Sequence, residues 1–159
     1  MYLKHESRQG GLTIVECLVT LVVISIGLLG IAALQLSSMK QNASALQQSK
    51  AVWATYNMAD RIRSNGIRFA DYTGIDTSTA YSQDCSNNPC NDSQLVTADA
   101  AEWSAKVREL PGGRGRITGA PEQLMVTVMW DDEGTGATGT DCSGNAQVDL
   151  TCYSITLIQ

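Results

Sequence analysis

Apolar residues are concentrated in one early segment of the chain. The stretch from Leu12 to Leu36 contains a single charged residue, Glu16, whereas polar and charged residues are spread through the sequence that follows. A helix over this stretch measures about 37 Å, which is enough to cross a bilayer hydrocarbon core of about 30 Å. The pattern therefore predicts a transmembrane helix over residues 12–38.

Helical periodicity continues over residues 39–65, where apolar residues recur on one broad face that we expect to pack on a sheet. This face consists of Ala45, Leu46, Ser49, Val52, Trp53, Tyr56, Ala59 and Ile62. We predict core positions for Trp53 and Tyr56, because large side chains that face a domain are more often buried than exposed for binding. The opposite face carries Lys50, Asp60 and Arg61, and Asn65-Gly66 predicts the end of the helix.

The following segment changes to polar composition. Residues 66–97 are rich in Ser, Thr, Asn, Asp and Gly, which predicts a long surface connection. Asp99 with Glu102 resembles a helix-capping pair, and it predicts a short helix that ends at Pro111-Gly112-Gly113. The apolar positions of this helix are Trp103, Val107 and Leu110.

The last part of the chain alternates between apolar and polar residues. This alternation predicts antiparallel strands over residues 115–118, 123–131 and 148–158. One face of such a sheet is buried, so it should pack on the helix that precedes it. The fold class predicted is α+β, with residues 66–159 forming a globular region of loop, short helix and sheet.

The distribution of charge predicts the orientation of the chain in the membrane and argues against one class of partner. Lys4 and Arg8 precede the apolar segment and Lys40 follows it, which predicts a cytoplasmic N-terminus and a periplasmic C-terminal region. A cleaved secretory signal has an apolar core of only about 7–15 residues, which is shorter than this segment. The net charge of -5 and the absence of a basic face argue against nucleic acid as a partner.

The chain contains five cysteines, of which Cys17 lies inside the apolar segment. The other four, Cys85, Cys90, Cys142 and Cys152, predict two disulfides and an oxidising compartment. A zinc site is the alternative, but there is no pair with C-x2-C spacing and the single histidine, His5, lies far away. Of the three possible connectivities, proximity in sequence favours Cys85 with Cys90 and Cys142 with Cys152.

Glu16 requires an explanation, since a carboxylate in an apolar helix costs a few kcal/mol unless it meets a partner or stays at the membrane interface. One account places it at the headgroups, where the positive end of the helix dipole favours it. A second account follows from Gly10-Gly11-Leu12-Thr13-Ile14-Val15-Glu16, which resembles the signal of type IV prepilins. That signal is a short basic leader ending in Gly, followed by an apolar span with Glu five positions after the Gly.

The segment Ser25-Ile26-Gly27-Leu28-Leu29-Gly30 is similar to the spans of the PilV-type minor pilins. Two positions depart from the family pattern, because Leu12 stands where major pilins usually carry Phe and Ala33 stands where many carry Pro. Any plasticity of this helix would then depend on Gly27 and Gly30, which lower helix stability.

The resemblance implies a pilin fold and a defined maturation. A prepilin peptidase would remove a leader of residues 1–11 by cutting between Gly11 and Leu12, and it would methylate the new amino group of Leu12. Glu16 would pair with that amine, either in a neighbouring subunit, as the family favours, or within one chain. The protein would reside in the inner membrane, in contact with its lipid, and then in an extracellular pilus with other minor pilins, the major pilin and a tip adhesin.

Three functions remain open at this point. The resemblance favours a minor pilin that primes pilus assembly in a tip complex, and a pseudopilin of a type II secretion or competence system would share the same signal. A membrane-anchored periplasmic enzyme or binding module is the third.

No catalytic site is predicted, since His5 would be lost with the leader and no nucleophilic triad can form without it. We also predict no cofactor and no metal. Asp131, Asp132 and Glu133 could offer oxygen ligands to calcium, but their spacing fits no EF-hand loop and favours a solvated turn.

Overall fold

The computed structural model describes residues 13–85 and 89–159. The elements in chain order are helix α1 (Ile14–Ser64), a short 3-10 helix (Gly66–Tyr72), helix α2 (Asp92–Val107) and strands β1 (Arg114–Ala120), β2 (Gln123–Trp130) and β3 (Thr151–Ile158). The strands form one antiparallel sheet in the order β1-β2-β3, so the predicted α+β class is confirmed. The leader and the cleavage position between Gly11 and Leu12 lie outside the described residues.

The chain divides after Asn42 into two units. In the first unit α1 is apolar and its described side chains are all exposed. Its most apolar stretch is not buried by the rest of the chain, and the helix is long and apolar enough to cross a membrane by length and composition. This part of α1 supplies the structural basis of the predicted span.

In the second unit α1 packs on one face of the sheet. The α1 residues buried there are Ala51, Ala54, Thr55, Met58, Ala59 and Ile62. On the sheet, alternate residues of β2 face the same core, and Val126 and Val128 are 0% exposed. Three of the six buried helix residues are alanines, and such small side chains let a helix approach a sheet closely.

The prediction that Trp53 and Tyr56 are core residues is wrong. Trp53 is 56% exposed and Tyr56 is 48% exposed, and Leu46 is also exposed on the same part of α1. The reason is that apolar residues cover most of the circumference of this helix segment, whereas the sheet covers only the face that carries the alanines. Arg61 departs from prediction too, because its side chain is directed at α2 rather than at solvent.

The predicted surface connection over residues 66–97 contains more structure than expected. The 3-10 helix buries Phe69 and Tyr72 in the core, where they are 4% and 0% exposed. Beyond it, Ile75 is buried and Asp76 forms an antiparallel bridge with Arg116 of β1. Aromatic anchors and backbone pairing therefore hold the first part of this segment against the domain.

Helix α2 begins at Asp92, so the prediction that Asp99 and Glu102 cap a shorter helix is wrong. The observed cap is Asn91, whose side-chain oxygen accepts from the N–H of Gln94 at 2.8 Å, while the Gln94 side chain accepts from the N–H of Asn91 at 3.0 Å. This reciprocal pair satisfies two backbone donors that would otherwise lack partners. Asp99 instead lies in the middle of α2 and is buried.

The remaining boundaries agree with the sequence pattern to within a few residues. Helix α1 ends at Ser64, directly before the predicted stop. Trp103, Val107 and Leu110, the apolar positions assigned to the short helix, are all buried, although α2 ends at Val107 and Leu110 lies beyond it. Strand β2 pairs with β3 without interruption, from Gln123 opposite Ile158 to Trp130 opposite Thr151. The main difference is β3, which begins at Thr151 because residues 139–149 form a loop with its own bridge between Gly139 and Asp149.

Candidate functional site

The first turn of α1 holds the carboxylate on which the sequence analysis depends. Thr13 caps this turn, since its carbonyl oxygen accepts from the N–H of Glu16 at 3.0 Å and its hydroxyl accepts from the same N–H at 3.3 Å. The Glu16 side chain is exposed and makes no hydrogen bond or ion pair within the part of the chain that the structure describes. A carboxylate in the first turn is favoured by the helix dipole, and here it is also available to an external cation.

Two hydroxyl side chains in the apolar part of α1 are satisfied within the helix. The hydroxyl of Thr20 donates to the carbonyl of Cys17 at 2.8 Å, and the hydroxyl of Ser25 donates to the carbonyl of Leu21 at 2.7 Å. Internal bonds of this kind are what a hydrocarbon environment requires, since lipid tails offer no partners. Glu16 therefore differs from Thr20 and Ser25.

Gly27 and Gly30 lie within the continuous α1, and a Cβ added at either position would meet no atom within 4 Å. No contact inside the chain therefore requires glycine at these two positions. The structure places them on open helix surface, where a neighbouring helix could approach closely.

The two disulfides join Cys85 to Cys90 and Cys142 to Cys152, which is the sequence-local pairing favoured above. The first closes a short loop ahead of α2, and the second ties the loop before β3 to that strand. Among the described residues, Cys17 is the free cysteine and it is exposed. The disulfides stabilise the second unit and bring no reactive groups together.

The acidic residues after β2 serve as hydrogen-bond acceptors for the surrounding turn. Asp131 accepts from the N–H of Gly136 at 2.8 Å and from that of Thr135 at 3.0 Å, and the bond from Gly136 contributes most to lowering the pKa of Asp131. Asp132 accepts from the Ser44 hydroxyl at 2.7 Å and from the indole N–H of Trp130 at 3.0 Å. Across residues 13–85 and 89–159, no group of three His, Cys, Asp or Glu side chains could hold a metal ion.

Two family models match the chain, one after the other. A model described as a prokaryotic N-terminal methylation motif matches residues 7–32, and a model described as type IV pilin Tt1218 matches residues 33–101. The chain is a type IV pilin-like protein. No curated protein and no solved structure matches it.

The site residues predicted for this pilin-like protein do not converge on one place. Glu16 lies in the first unit, whereas both disulfides lie in the second, and Gly11 and Leu12 fall outside the described residues. The described part of the pilin-like chain thus comprises an exposed apolar segment of α1 and a folded domain.

The sequence analysis missed a buried polar network in the pilin-like domain. Asp99 accepts from Arg61 Nη1 at 2.7 Å and from the Tyr72 hydroxyl at 2.6 Å, and Arg61 also pairs with Glu102. Asn65 joins by donating to the Tyr72 hydroxyl oxygen at 3.3 Å. The network ties the end of α1, the 3-10 helix and α2 together. The signal that could have revealed it is the acid at Asp99, which occupies the same helix face as Trp103 and Val107.

Proposed function

We propose that this protein is a minor pilin of a type IV pilus, cut by a prepilin peptidase between Gly11 and Leu12 and then incorporated into the filament. The observation that carries the proposal is that the methylation motif of residues 7–32 runs into an exposed apolar helix, whose apolar segment contains a single charged residue, Glu16. A structural role follows from this arrangement, because α1 has a large apolar surface that the chain itself does not bury.

Two successive environments would bury the apolar surface of α1. Before assembly, lipid of the inner membrane covers the apolar side chains, and Lys4 and Arg8 keep the N-terminal flank in the cytoplasm. After assembly, helices of neighbouring subunits replace the lipid. Both environments have a low dielectric constant, so a lone carboxylate in them costs about 2.5–3.5 kcal/mol unless it is paired.

The cation for Glu16 would be the amine that cleavage creates at Leu12. Opposite charges attract more strongly in a low dielectric medium than in water, and a buried pair contributes when both ions find each other with good geometry. The preference for a partner on a neighbouring subunit over the amine of the same chain rests on the family resemblance, because Leu12 lies outside the described residues. In this account Glu16 sets the position of the incoming subunit.

The assignment to the minor pilins rests on resemblance. The stretch from Ser25 to Gly30 is similar to the spans of PilV-type proteins, and Leu12 and Ala33 depart from the residues that major pilins usually carry. A minor pilin of this type would be present at low copy and would prime assembly in a tip complex with other minor pilins and an adhesin. The major pilin would then extend the filament below that complex.

The proposal is tested on the full chain expressed in its native cell. We expect the mature protein to begin at Leu12 with a methylated amine, which intact-mass analysis measures. Replacing Gly11 with Val should leave the precursor uncut. Glu16→Val should be cut normally yet be depleted from sheared filaments by about tenfold or more, which corresponds to about 1.4 kcal/mol per tenfold in affinity.

The matched control is Thr20→Val, one helical turn after Glu16 on the exposed surface of α1. This change removes a hydroxyl that is satisfied within the helix, so incorporation should remain within twofold of the natural chain. Normal incorporation of Glu16→Val would refute the role given to the carboxylate. A chain that still begins at Met1 would indicate an anchored periplasmic module, and a processed chain confined to the periplasm would indicate a pseudopilin.

A further inference from the structure

The sheet has an outer face, on the side opposite the core, and one end of that face is covered. Successive residues of a strand point to opposite faces, so Val128 of β2 points into the core and Met129 points to the outer face. Met129 is nevertheless 2% exposed. Its cover comes from the loop of residues 139–149, because Thr140 and Cys142 of this loop line one cavity together with Met129.

This loop is held in place at several points. The disulfide between Cys142 and Cys152 joins it to β3. A bridge pairs Gly139 with Asp149 at its base. The buried Asp149 side chain also accepts from the N–H of Asp141 at 3.4 Å. The wall that the loop builds over the sheet is therefore preformed, as is usual for sites that bind small molecules.

The cavity between the loop and the outer face has a volume of about 390 Å³. Sites for small molecules measure roughly 300–1,000 Å³, so a small organic molecule fits this space. On the sheet side of the cavity, the hydroxyls of Thr127 and Ser154 lie 2.9 Å apart, and Met125, which is 42% exposed, adds an apolar surface. The cavity therefore offers hydroxyl groups beside an apolar surface, and no aromatic ring is among the residues that line it.

Arg116 brings a positive charge into the lining of this cavity. The residue is half-buried, and within the described residues its guanidinium donates one hydrogen bond, from Nη2 to the Thr140 carbonyl oxygen at 3.4 Å. It forms no ion pair within the same part of the chain. A guanidinium has five N–H donors in a fixed fork. Most donors of Arg116 are therefore available to a bound molecule.

Asp141 brings a negative charge into the same lining. This residue is exposed and, among the described residues, it forms no ion pair with Arg116. Because consecutive Cα atoms are about 3.8 Å apart, the contact of the Arg116 guanidinium with Thr140 brings it near Asp141. Arg114 and Asp76 are charged neighbours of Arg116 that lie outside the lining. The cavity is thus lined by two charges of opposite sign that are not paired with each other.

We propose that this cavity binds a small zwitterion with a carboxylate and an ammonium group, of the class of free α-amino acids with an unbranched apolar side chain. Arg116 would hold the carboxylate through two parallel N–H···O bonds, and Asp141 would accept hydrogen bonds from the ammonium group. The apolar part of the ligand would contact Met125, whose flexible side chain adapts to its shape. A molecule with one charge would be opposed by the like charge of the cavity, which disfavours both simple anions and simple cations. The site lies in the folded domain and does not depend on the proposed function.

Methyl NMR of the purified full chain in non-ionic detergent, labelled at its methionine methyl groups, tests the proposal. Met125 and Met129 line the cavity, whereas Met58 lies in the core and Met39 is exposed on α1. L-Norleucine is the probe, and hexanoate and pentylamine are the same molecule without the ammonium group or without the carboxylate. We expect norleucine to shift the Met125 signal with half-saturation below about 1 mM, and the two analogues to bind about tenfold more weakly. The Met58 and Met39 signals should not move.

Removal of one charge at a time supplies the matched variants. Arg116→Gln and Asp141→Asn should each weaken the binding of norleucine about tenfold. The control is Arg114→Gln, because Arg114 is exposed on the same face of β1, two residues before Arg116, and does not line the cavity. This control should bind norleucine within about twofold of the natural chain. An unchanged signal of the buried Met58 verifies that each variant is folded.

A Met125 signal that does not shift with norleucine up to about 10 mM overturns the proposal. Hexanoate or pentylamine that binds as tightly as norleucine overturns the zwitterion as the ligand class, and equal binding by the Arg116→Gln and Arg114→Gln variants overturns the site. A shift confined to Met39 shows that the probe enters the detergent, and it overturns the proposal as well. Because binding is measured on the purified chain, failure of the minor-pilin function would leave these results unchanged.

Discussion

Substitution of Asp99 is the most informative test of the stability of the domain, because this one buried carboxylate holds three elements together. Its side chain is 6% exposed and accepts at 2.7 Å from Arg61 and at 2.6 Å from the Tyr72 hydroxyl. Asp99→Ala removes both acceptors at once. Two hydrogen bonds to a charged group contribute about 1.5–3 kcal/mol each when their partners are buried.

The expected loss lies at the lower end of the sum of these two ranges. The Arg61 side chain is 25% exposed and keeps its pair with Glu102, so its charge is not left alone. Tyr72 is fully buried, and Asn65 donates to its oxygen without accepting its proton. We therefore expect Asp99→Ala to lower the free energy of unfolding by about 3 kcal/mol, at the lower end of the range for a broken buried pair.

Urea unfolding of the full chain in non-ionic detergent measures this value through tryptophan fluorescence, since Trp103 and Trp130 are buried in the domain. Glu102→Ala is the control, because that side chain is 61% exposed and the loss of its ion pair should cost about 0.5 kcal/mol or less. Tyr72→Phe should cost about 1–2 kcal/mol. Equal losses for the Asp99 and Glu102 variants would refute the argument that burial makes this network strong.

Three further predictions concern the same domain and the same unfolding assay. Trp103→Ala should cost about 3–5 kcal/mol because the side chain is fully buried, whereas Trp53→Ala should cost less than about 1 kcal/mol; equal losses would contradict the observed packing. Burial raises the pKa of Tyr72, so its neutral phenol favours the folded state. The resulting contribution to the free energy of unfolding is fully present below about pH 10, the pKa of tyrosine in the unfolded chain, and it is lost as the pH rises toward the pKa in the folded protein. Tyr72→Phe should remove this decline. Gly113→Ala should cost about 1–3 kcal/mol, since an ideal Cβ would lie 1.9 Å from the Val107 carbonyl oxygen; an unchanged unfolding midpoint would contradict this.

The strands and the end of α1 could be predicted because their signals are local. Alternation placed β2 within one residue of its observed end at Trp130, and Asn65-Gly66 marked the stop that follows Ser64. These signals act over a few neighbouring residues, and no distant contact overrides them here. The same holds for the disulfide pairs, whose members are close in sequence.

Helix α2 was predicted too short because two capping patterns compete. The pair Asp99 and Glu102 has the spacing of a cap, but so does Asn91 with Gln94, and only the second lies at a helix start. The choice between them depends on Asp99 finding Arg61 and Tyr72, which are distant in sequence. Local pattern alone carries no information about that pairing.

The segment that closes the β1 edge was missed for a related reason. Residues 74–77 are few and contain a single apolar side chain, Ile75, so alternation is too short to reveal a strand. Their extended conformation depends on pairing with Ile117 and Gly115 rather than on their own propensity. The pKa of Asp76 likewise depends on residues outside this short segment. Although burial raises its pKa, hydrogen bonding from Ser78 and the charges of Arg116 and Arg114 outweigh burial and lower the pKa overall.

The remaining discrepancies share a physical cause. Trp53 and Tyr56 were expected inside and lie outside, and β3 has the composition of a protected central strand but occupies an edge. In both places the composition predicts more burial than the described part of the chain provides. Lys106 lies 4.4 Å from the centroid of the Trp53 ring, yet Trp53 remains 56% exposed. Composition shows how apolar a segment is, whereas the packing of elements that are distant in sequence decides how much of that segment is covered.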